Sequence, residues 1–336
     1  MAQKRSDDLS IIRAADSYGE LLQHRLTLIS STKKDHQTLN HCHDEIIKQV
    51  VALALQRIES EWGAPPTHFV FFVMGSAGRM EQSIWSDQDH GLLYLEEHDD
   101  NQAYFLALGR EIEEGLAKVG YERCDGLVMA SHPRWCCSQA AWHDQQQRWM
   151  KENTWEAYRH LLTFFDGRPL VGDANLMEDV KVNLLQRIET NRQLLKRFMQ
   201  NTERLKKGIG LFGQLLVESK GTARGLFDIK QVTLFPYVNA LRLLALKEQI
   251  TAAPTVARYE AIRDRYSDVY ETKRMFEQLL SKRLEWQQDV PNYERIHYLD
   301  LTQLTKDERN ELKAWTVTGH KLYRSVEEAV KREWSL

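Results

Sequence analysis

Two aspartates, Asp87 and Asp89, flank Gln88 where an apolar run begins, and a Gly75-Ser76 pair closes another apolar run a short segment earlier. Carboxylates at i and i+2 on an extended strand point to one face. Side by side they repel, and a cation between them relieves the repulsion. Hard divalent ions such as Mg²⁺ take oxygen ligands, commonly one or two carboxylates together with substrate phosphates. A Gly-Ser turn at a strand end, ahead of a helix, offers backbone N–H groups to phosphate oxygens. The glycine permits close approach and the serine adds a hydroxyl. A lone Gly-Ser is usually only a turn, and a lone Asp-x-Asp usually a solvated strand end. In this order, each at the end of an expected strand, they define a nucleotide–metal site of the kind that nucleotidyl transfer requires. No G-x-x-x-x-G-K-[ST] occurs, and the glycines around Gly75 spell no dinucleotide fingerprint, so ATPase and dehydrogenase readings fall.

The elements that must position these residues follow from glycine usage. Residues 20–62 lack Gly and Pro, and Ile46, Ile47, Val50, Val51, Ala54, Leu55 and Ile58 recur at helical steps. Ten of the 17 glycines fall between Gly63 and Gly172. Strand candidates in that stretch are residues 68–74, 91–95, 121–124 and 161–165, with a helix over 101–119. From Leu226 to Trp315 there is no glycine, and residues 180–198, 238–250, 256–280 and 312–334 have the pattern of bundle helices. A boundary near residue 175 gives a helical segment over 1–66, an α+β unit over 67–175 and a helical unit over 176–336. The absence of a flexible linker leads to the expectation that the parts pack closely.

A chain of 336 residues suits two domains and can bury a core without disulfides or structural metal. The formal charge of −3 gives no global reason to bind nucleic acid or an anionic membrane. The four cysteines form no C-x-x-C pair. The N-terminus has no apolar leader, and no run approaches the ~20 residues that span a bilayer. A cytoplasmic protein without nucleic-acid or membrane partners is expected, with homo-oligomerisation left open. His41-Cys42-His43-Asp44 fails as a metal motif, because His41 and His43 lie on different helix faces, and reads as a solvated helix start.

The run Gly75-Ser76-x-Gly78-Arg79-x-Glu81-Gln82, followed by Asp87-Gln88-Asp89, resembles a bacterial nucleotidyltransferase family related to PII uridylyltransferase and often fused to CBS domains. The resemblance continues through Val128-Met129-Ala130-Ser131-His132-Pro133-x-Trp135 and Phe164-Phe165-Asp166-x-Arg168-Pro169, and reaches Gly225-Leu226-Phe227-x-Ile229-Lys230. It implies an α+β, polymerase-β-like catalytic domain plus a C-terminal helical substrate-binding bundle. His132 and Asp125 depart from the family pattern, outside the metal motif.

The resemblance also implies a third carboxylate from a later strand, a position that Asp166 matches. The expected reaction moves an NMP from an NTP, UTP or ATP, to an acceptor hydroxyl on a protein or a small molecule. Asp87, Asp89 and Asp166 would hold Mg²⁺ or Mn²⁺, and Gly75 and Ser76 would hold the phosphates. Arg79 is a candidate phosphate ligand, with a helix-surface ion pair to Glu81 or Glu113 as the alternative. Lys230 is a candidate nucleotide contact, with an ordinary surface lysine as the alternative. A small-molecule nucleotidyltransferase and a catalytically silent nucleotide-binding module are the rival readings.

Overall fold

The computed structural model describes residues 15–32 and 35–332. The leader reading falls mostly on residues 1–14 and, like the expected helix end at Trp334, lies outside the described residues. The chain forms two compact units. One comprises the described residues up to Gln145 together with Gly167–Val180, and the other comprises Gln146–Asp166 with the described residues from Lys181 onward. A single cut near residue 175 therefore does not separate them, because the chain passes between the units three times.

The first unit opens with helices α1 (Tyr18–Thr32) and α2 (His36–Trp62). Asp35 caps α2, its carboxylate accepting from the N–H groups of Gln37 and Thr38 at 3.0 and 3.4 Å. Such a cap satisfies donors that the first helical turn leaves orphaned. Strands β1 (Phe69–Val73) and β2 (His90–Tyr94) pair antiparallel, Phe69 opposite Tyr94 and Val73 opposite His90. Helix α3 (Asp99–Lys118) follows, then β3 (Cys136–Ser138) and α4 (Gln139–Glu152). After the excursion through α5 (Trp155–Phe165), β4 (Arg168–Gly172) completes a four-stranded sheet of order β3-β2-β1-β4. Only the β2–β3 pair is parallel. Phe71, Val73, Leu92 and Tyr94 enter one core with Ile47, Val50 and Val51 of α2 and Leu108 and Ile112 of α3. On the other face Phe72 meets Trp142. A sheet covered on both faces explains why β1 reads as an unbroken apolar run rather than an alternating one.

Four elements differ from the sequence expectations. Residues 161–165 are helix, not strand: they end α5, whose N-cap Thr154 accepts from the Ala157 N–H at 3.1 Å. A five-residue apolar run cannot distinguish the two, whereas Tyr158, Leu161, Leu162 and Phe165 are all buried at helical spacing. Residues 121–124 form only an isolated bridge, Glu122 with Asp87. The stretch Arg168–Gly172, which is not among the strand candidates, is β4, and Pro169 is tolerated because β4 is an edge strand. The expected helix over 180–198 breaks at Asn191, between α6 (Ala174–Thr190) and α7 (Gln193–Thr202).

In the second unit a small ladder pairs β5 (Phe227–Asp228) with β6 (Tyr298–Leu299). A π-turn over Lys230–Leu234 leads into α8 (Phe235–Lys247), which is buried on nearly every side and so lies at the centre of the bundle. Around it stand α9 (Thr255–Ile262), α10 (Lys273–Trp286) and α11 (Lys306–Arg332). Among the described residues no helix is long and apolar enough to cross a membrane.

Candidate active site

The antiparallel register of β1 and β2 brings the end of one strand to the beginning of the other, where the Met74 N–H donates to the Asp89 carbonyl at 2.7 Å. The chain then makes a single helical turn, Gly75–Gly78, entered through Gly75 at φ +53°. A Cβ at Gly75 would stand 1.9 Å from Asp89 Oδ2. Glycine is therefore required twice over at this position, by its dihedral and by its neighbour.

The face on which each aspartate sits is set by its neighbours. Gln88 is buried, its amide donating to the carbonyls of Tyr121 and Glu113 at 3.1 and 3.2 Å. Its Oε1 accepts from His90 Nε2 at 3.1 Å, while His90 Nδ1 accepts from the Ala130 N–H. This network keeps the His90 imidazole neutral, and burial lowers its pKa to about 3. With Gln88 and His90 directed inward, the strand alternation leaves Asp87 and Asp89 together on the half-buried face.

Cys124 joins them: one ligand atom each of Asp87, Asp89 and Cys124 lies within 4.8 Å of the others. Burial, reinforced by the charge of Asp89, pushes the Cys124 thiol up to about 12. The thiol therefore remains protonated near neutrality, beside Asp89. A neutral thiol is a poor ligand for a hard cation, so the donor set that fits Mg²⁺ or Mn²⁺ is the two carboxylates.

One face of α2 holds the segment that joins the Gly-Ser turn to the aspartates. Asn40 bonds both backbone groups of Gln82, accepting from its N–H at 2.8 Å and donating to its carbonyl at 3.2 Å. His43 Nε2 meets the Ser83 carbonyl at 3.0 Å, and Nδ1 meets the Tyr121 hydroxyl at 2.8 Å. Burial, with a contribution from Arg25, lowers the His43 pKa to about 3. Asp44 accepts from Arg168 Nη2 at 2.7 Å, and the same nitrogen donates to the Ala77 carbonyl at 3.1 Å. The expected solvated helix start at His41–Asp44 is thus corrected. His41 is exposed, but Cys42, His43 and Asp44 are buried, because Asn40, His43 and Asp44 share the face that packs on the loop.

Three expected site residues have other surroundings. Asp166 belongs to the second unit, as the C-cap of α5, where Arg242 and Arg258 bind both of its oxygens. Its carboxylate is engaged in a buried ion-pair cluster and follows a helix, so the expectation that it ends a strand is corrected. Arg79 pairs with Glu81, its Nε 2.8 Å from Glu81 Oε2, but the pair is buried and not on a helix surface. Lys230 opens the π-turn of the second unit, its Nζ 3.3 Å from His297 Nε2 and above the Phe235 ring. Asn40, His43, Asp44, Cys124 and Arg168 escaped sequence reasoning. The legible signal was the spacing of Asn40, His43 and Asp44 on the apolar face of α2.

A mixed sheet carrying a paired-carboxylate strand beside a Gly-Ser turn, joined to a helical unit, defines the nucleotidyltransferase class. The chain belongs to the family described as Putative nucleotidyltransferase DUF294, whose model matches residues 18–156. A second model, described as Putative nucleotidyltransferase substrate binding domain, matches residues 192–330. No curated protein matches the chain.

Proposed function

We propose that the chain transfers an NMP from an NTP, UTP or ATP, to an acceptor hydroxyl, using Mg²⁺ or Mn²⁺ held by Asp87 and Asp89. The observation that carries this reading is the contact between Gly75 and Asp89: the phosphate-binding turn and the metal-binding carboxylate meet with only a glycine hydrogen between them. When bound, the cation neutralises triphosphate charge and lowers the pKa of an acceptor hydroxyl. Asp87 and Asp89 would hold that cation beside the α-phosphate, and the N–H groups that open the Gly75–Gly78 turn, with the Ser76 hydroxyl, would receive the outer phosphates. The acceptor oxygen attacks the α-phosphorus, the bond to pyrophosphate breaks, and the hydroxyl proton is lost to solvent. Arg168 acts indirectly, tying the turn to α2 through the Ala77 carbonyl and Asp44. If the sequence resemblance to PII uridylyltransferase extends to the substrate, the donor is UTP and the acceptor a tyrosine of a regulatory protein.

Pyrophosphate release from each of the four NTPs, with purified protein and Mg²⁺ or Mn²⁺, tests the reaction. Release that is suppressed by EDTA and by Asp89→Asn supports the assignment. NTP binding without release, when candidate acceptors are supplied, would instead favour the silent nucleotide-binding module.

A further inference from the structure

The second unit contains a cavity of its own, about 650 Å³, between residues 203–209 and one side of α11. That volume suits a small organic ligand. Lys207, Lys321 and Arg324 line it, and among the described residues none of the three has a carboxylate within salt-bridge reach. The opposing charges are Glu203 and Glu327, and Glu327 is already held by Lys331 at 2.8 Å. Ile209 and Val317 supply apolar wall.

The backbone around the cavity is unusual. Residues 203–226 contain no helix or ladder strand, only an Ile209–Leu215 bridge, and irregular segments of this length in a compact domain are commonly functional. Residues 208–213 spell Gly-x-Gly-x-x-Gly, but the run neither follows a strand nor opens a helix, so it is not a dinucleotide fingerprint. Its first glycine has a packing reason: a Cβ at Gly208 would stand 2.1 Å from Val232 Cγ1 and 3.0 Å from Thr316 Cγ2. Behind the lining residues Thr316 and His320 lies the π-turn Lys230–Leu234, a rare element that recurs at functional sites. Its Val232 carbonyl lies 3.0 Å from His320 Nε2, and its Thr233 hydroxyl pairs with Thr316 at 2.8 Å. Burial and the Arg324 charge lower the pKa of His320. With Nε2–H donating to Val232, the neutral ring keeps Nδ1 as an acceptor.

We propose that this cavity binds a phosphorylated small molecule, its phosphate at Lys207, Lys321 and Arg324 and a hydroxyl or amine donating to His320 Nδ1. Three cations from two segments match a phosphate dianion better than a single carboxylate. The proposal goes beyond the transfer reaction, since it uses neither Asp87 nor Asp89.

Calorimetric titration of the full chain in excess EDTA with AMP, UMP and glucose 6-phosphate tests it. The chelator silences the metal-dependent site, so failure here leaves pyrophosphate release unaffected, and the converse also holds. At least one probe is expected to bind. Affinity should fall tenfold or more in Lys321→Glu/Arg324→Glu, with an unchanged circular-dichroism spectrum, and should be unchanged in Asp87→Ala. Lys207→Glu, on the opposite wall, serves as an independent variant should the double variant not fold. Absence of binding by all three probes overturns the proposal. So does binding that survives the cavity variants, or binding that disappears with Asp87.

Discussion

Gly75 and Asp89 compete for one small volume, since any side chain on Gly75 would overlap the Asp89 carboxylate. Gly75→Ala is therefore expected to move Asp89 and to place alanine in the left-handed region, at a cost of about 1–2 kcal/mol. Metal-dependent NTP affinity should fall at least tenfold, while urea denaturation shows only the modest stability loss. A variant that binds Mg²⁺–NTP normally would dissociate the turn from the carboxylate site.

Asp87→Ala and Asp89→Ala should each abolish metal-dependent NTP binding without destabilising the apo protein. Two like charges on one strand face repel in the absence of a cation, so removing one relieves strain. Thermal melts with and without Mg²⁺ and NTP check both halves. The wild type should be stabilised by the ligands and neither variant should be.

The two buried imidazoles make the first unit acid-sensitive. His43 and His90 have folded-state pKa values near 3, below the unfolded value of 6.5, so the unfolded chain binds more protons between those limits. Their contribution to stability is complete above pH 6.5 and is lost as pH falls, by up to about 1.4 kcal/mol per pH unit for each ring. Denaturant midpoints measured from pH 7.5 to 4.5 should decline, and the slope should shrink in His43→Gln. An unchanged slope in that variant would mean that His43 is not buried neutral.

Asp166 and its two arginines predict a stability effect that is independent of metal. Asp166→Ala leaves Arg242 and Arg258 buried without their carboxylate, which should cost about 3–5 kcal/mol. If Asp166 were a metal ligand, Mg²⁺ would stabilise the wild type and not a folded Asp166→Asn variant. We expect equal Mg²⁺–NTP stabilisation of both.

Arg168 and Asp44 should couple in a double-mutant cycle. Arg168→Ala leaves Asp44 buried without its cation and the Ala77 carbonyl without its donor. The single variant should lose about 3–5 kcal/mol, and Arg168→Ala/Asp44→Asn should recover part of that loss.

The reactive core of the site was legible because its chemistry is local. Gly75-Ser76 and Asp87-x-Asp89 each act through a few consecutive residues, and the alternation of a strand puts both aspartates on one face without any knowledge of tertiary structure. The supporting residues depend on long-range packing. Asn40 reaches Gln82, His43 reaches Tyr121, and Asp44 reaches Arg168 across more than a hundred residues, so no local spacing rule finds those partners. Asp166 misled because an apolar run of five residues ahead of it fits a strand as readily as the last turns of a helix. Only the Thr154 cap and the spacing of Tyr158, Leu161 and Phe165 favoured helix. Arg79 had two readings in sequence, and its burial beside Glu81 depends on packing that local spacing does not give.

The interleaving of the two units bears on the order in which the protein can be assembled. Strand β4 belongs to the sheet that holds the aspartates, yet the ribosome delivers it only after residues 146–166, which belong to the other unit. Until β4 emerges, β1 has an open hydrogen-bonding edge along the run Phe-Val-Phe-Phe-Val, a sequence well suited to mispairing. Meanwhile α5 must wait for Arg242 and Arg258, more than seventy residues downstream, to neutralise Asp166. Neither unit can therefore be finished before synthesis of the other is under way, and a gene cut at any one codon would leave at least one unit incomplete.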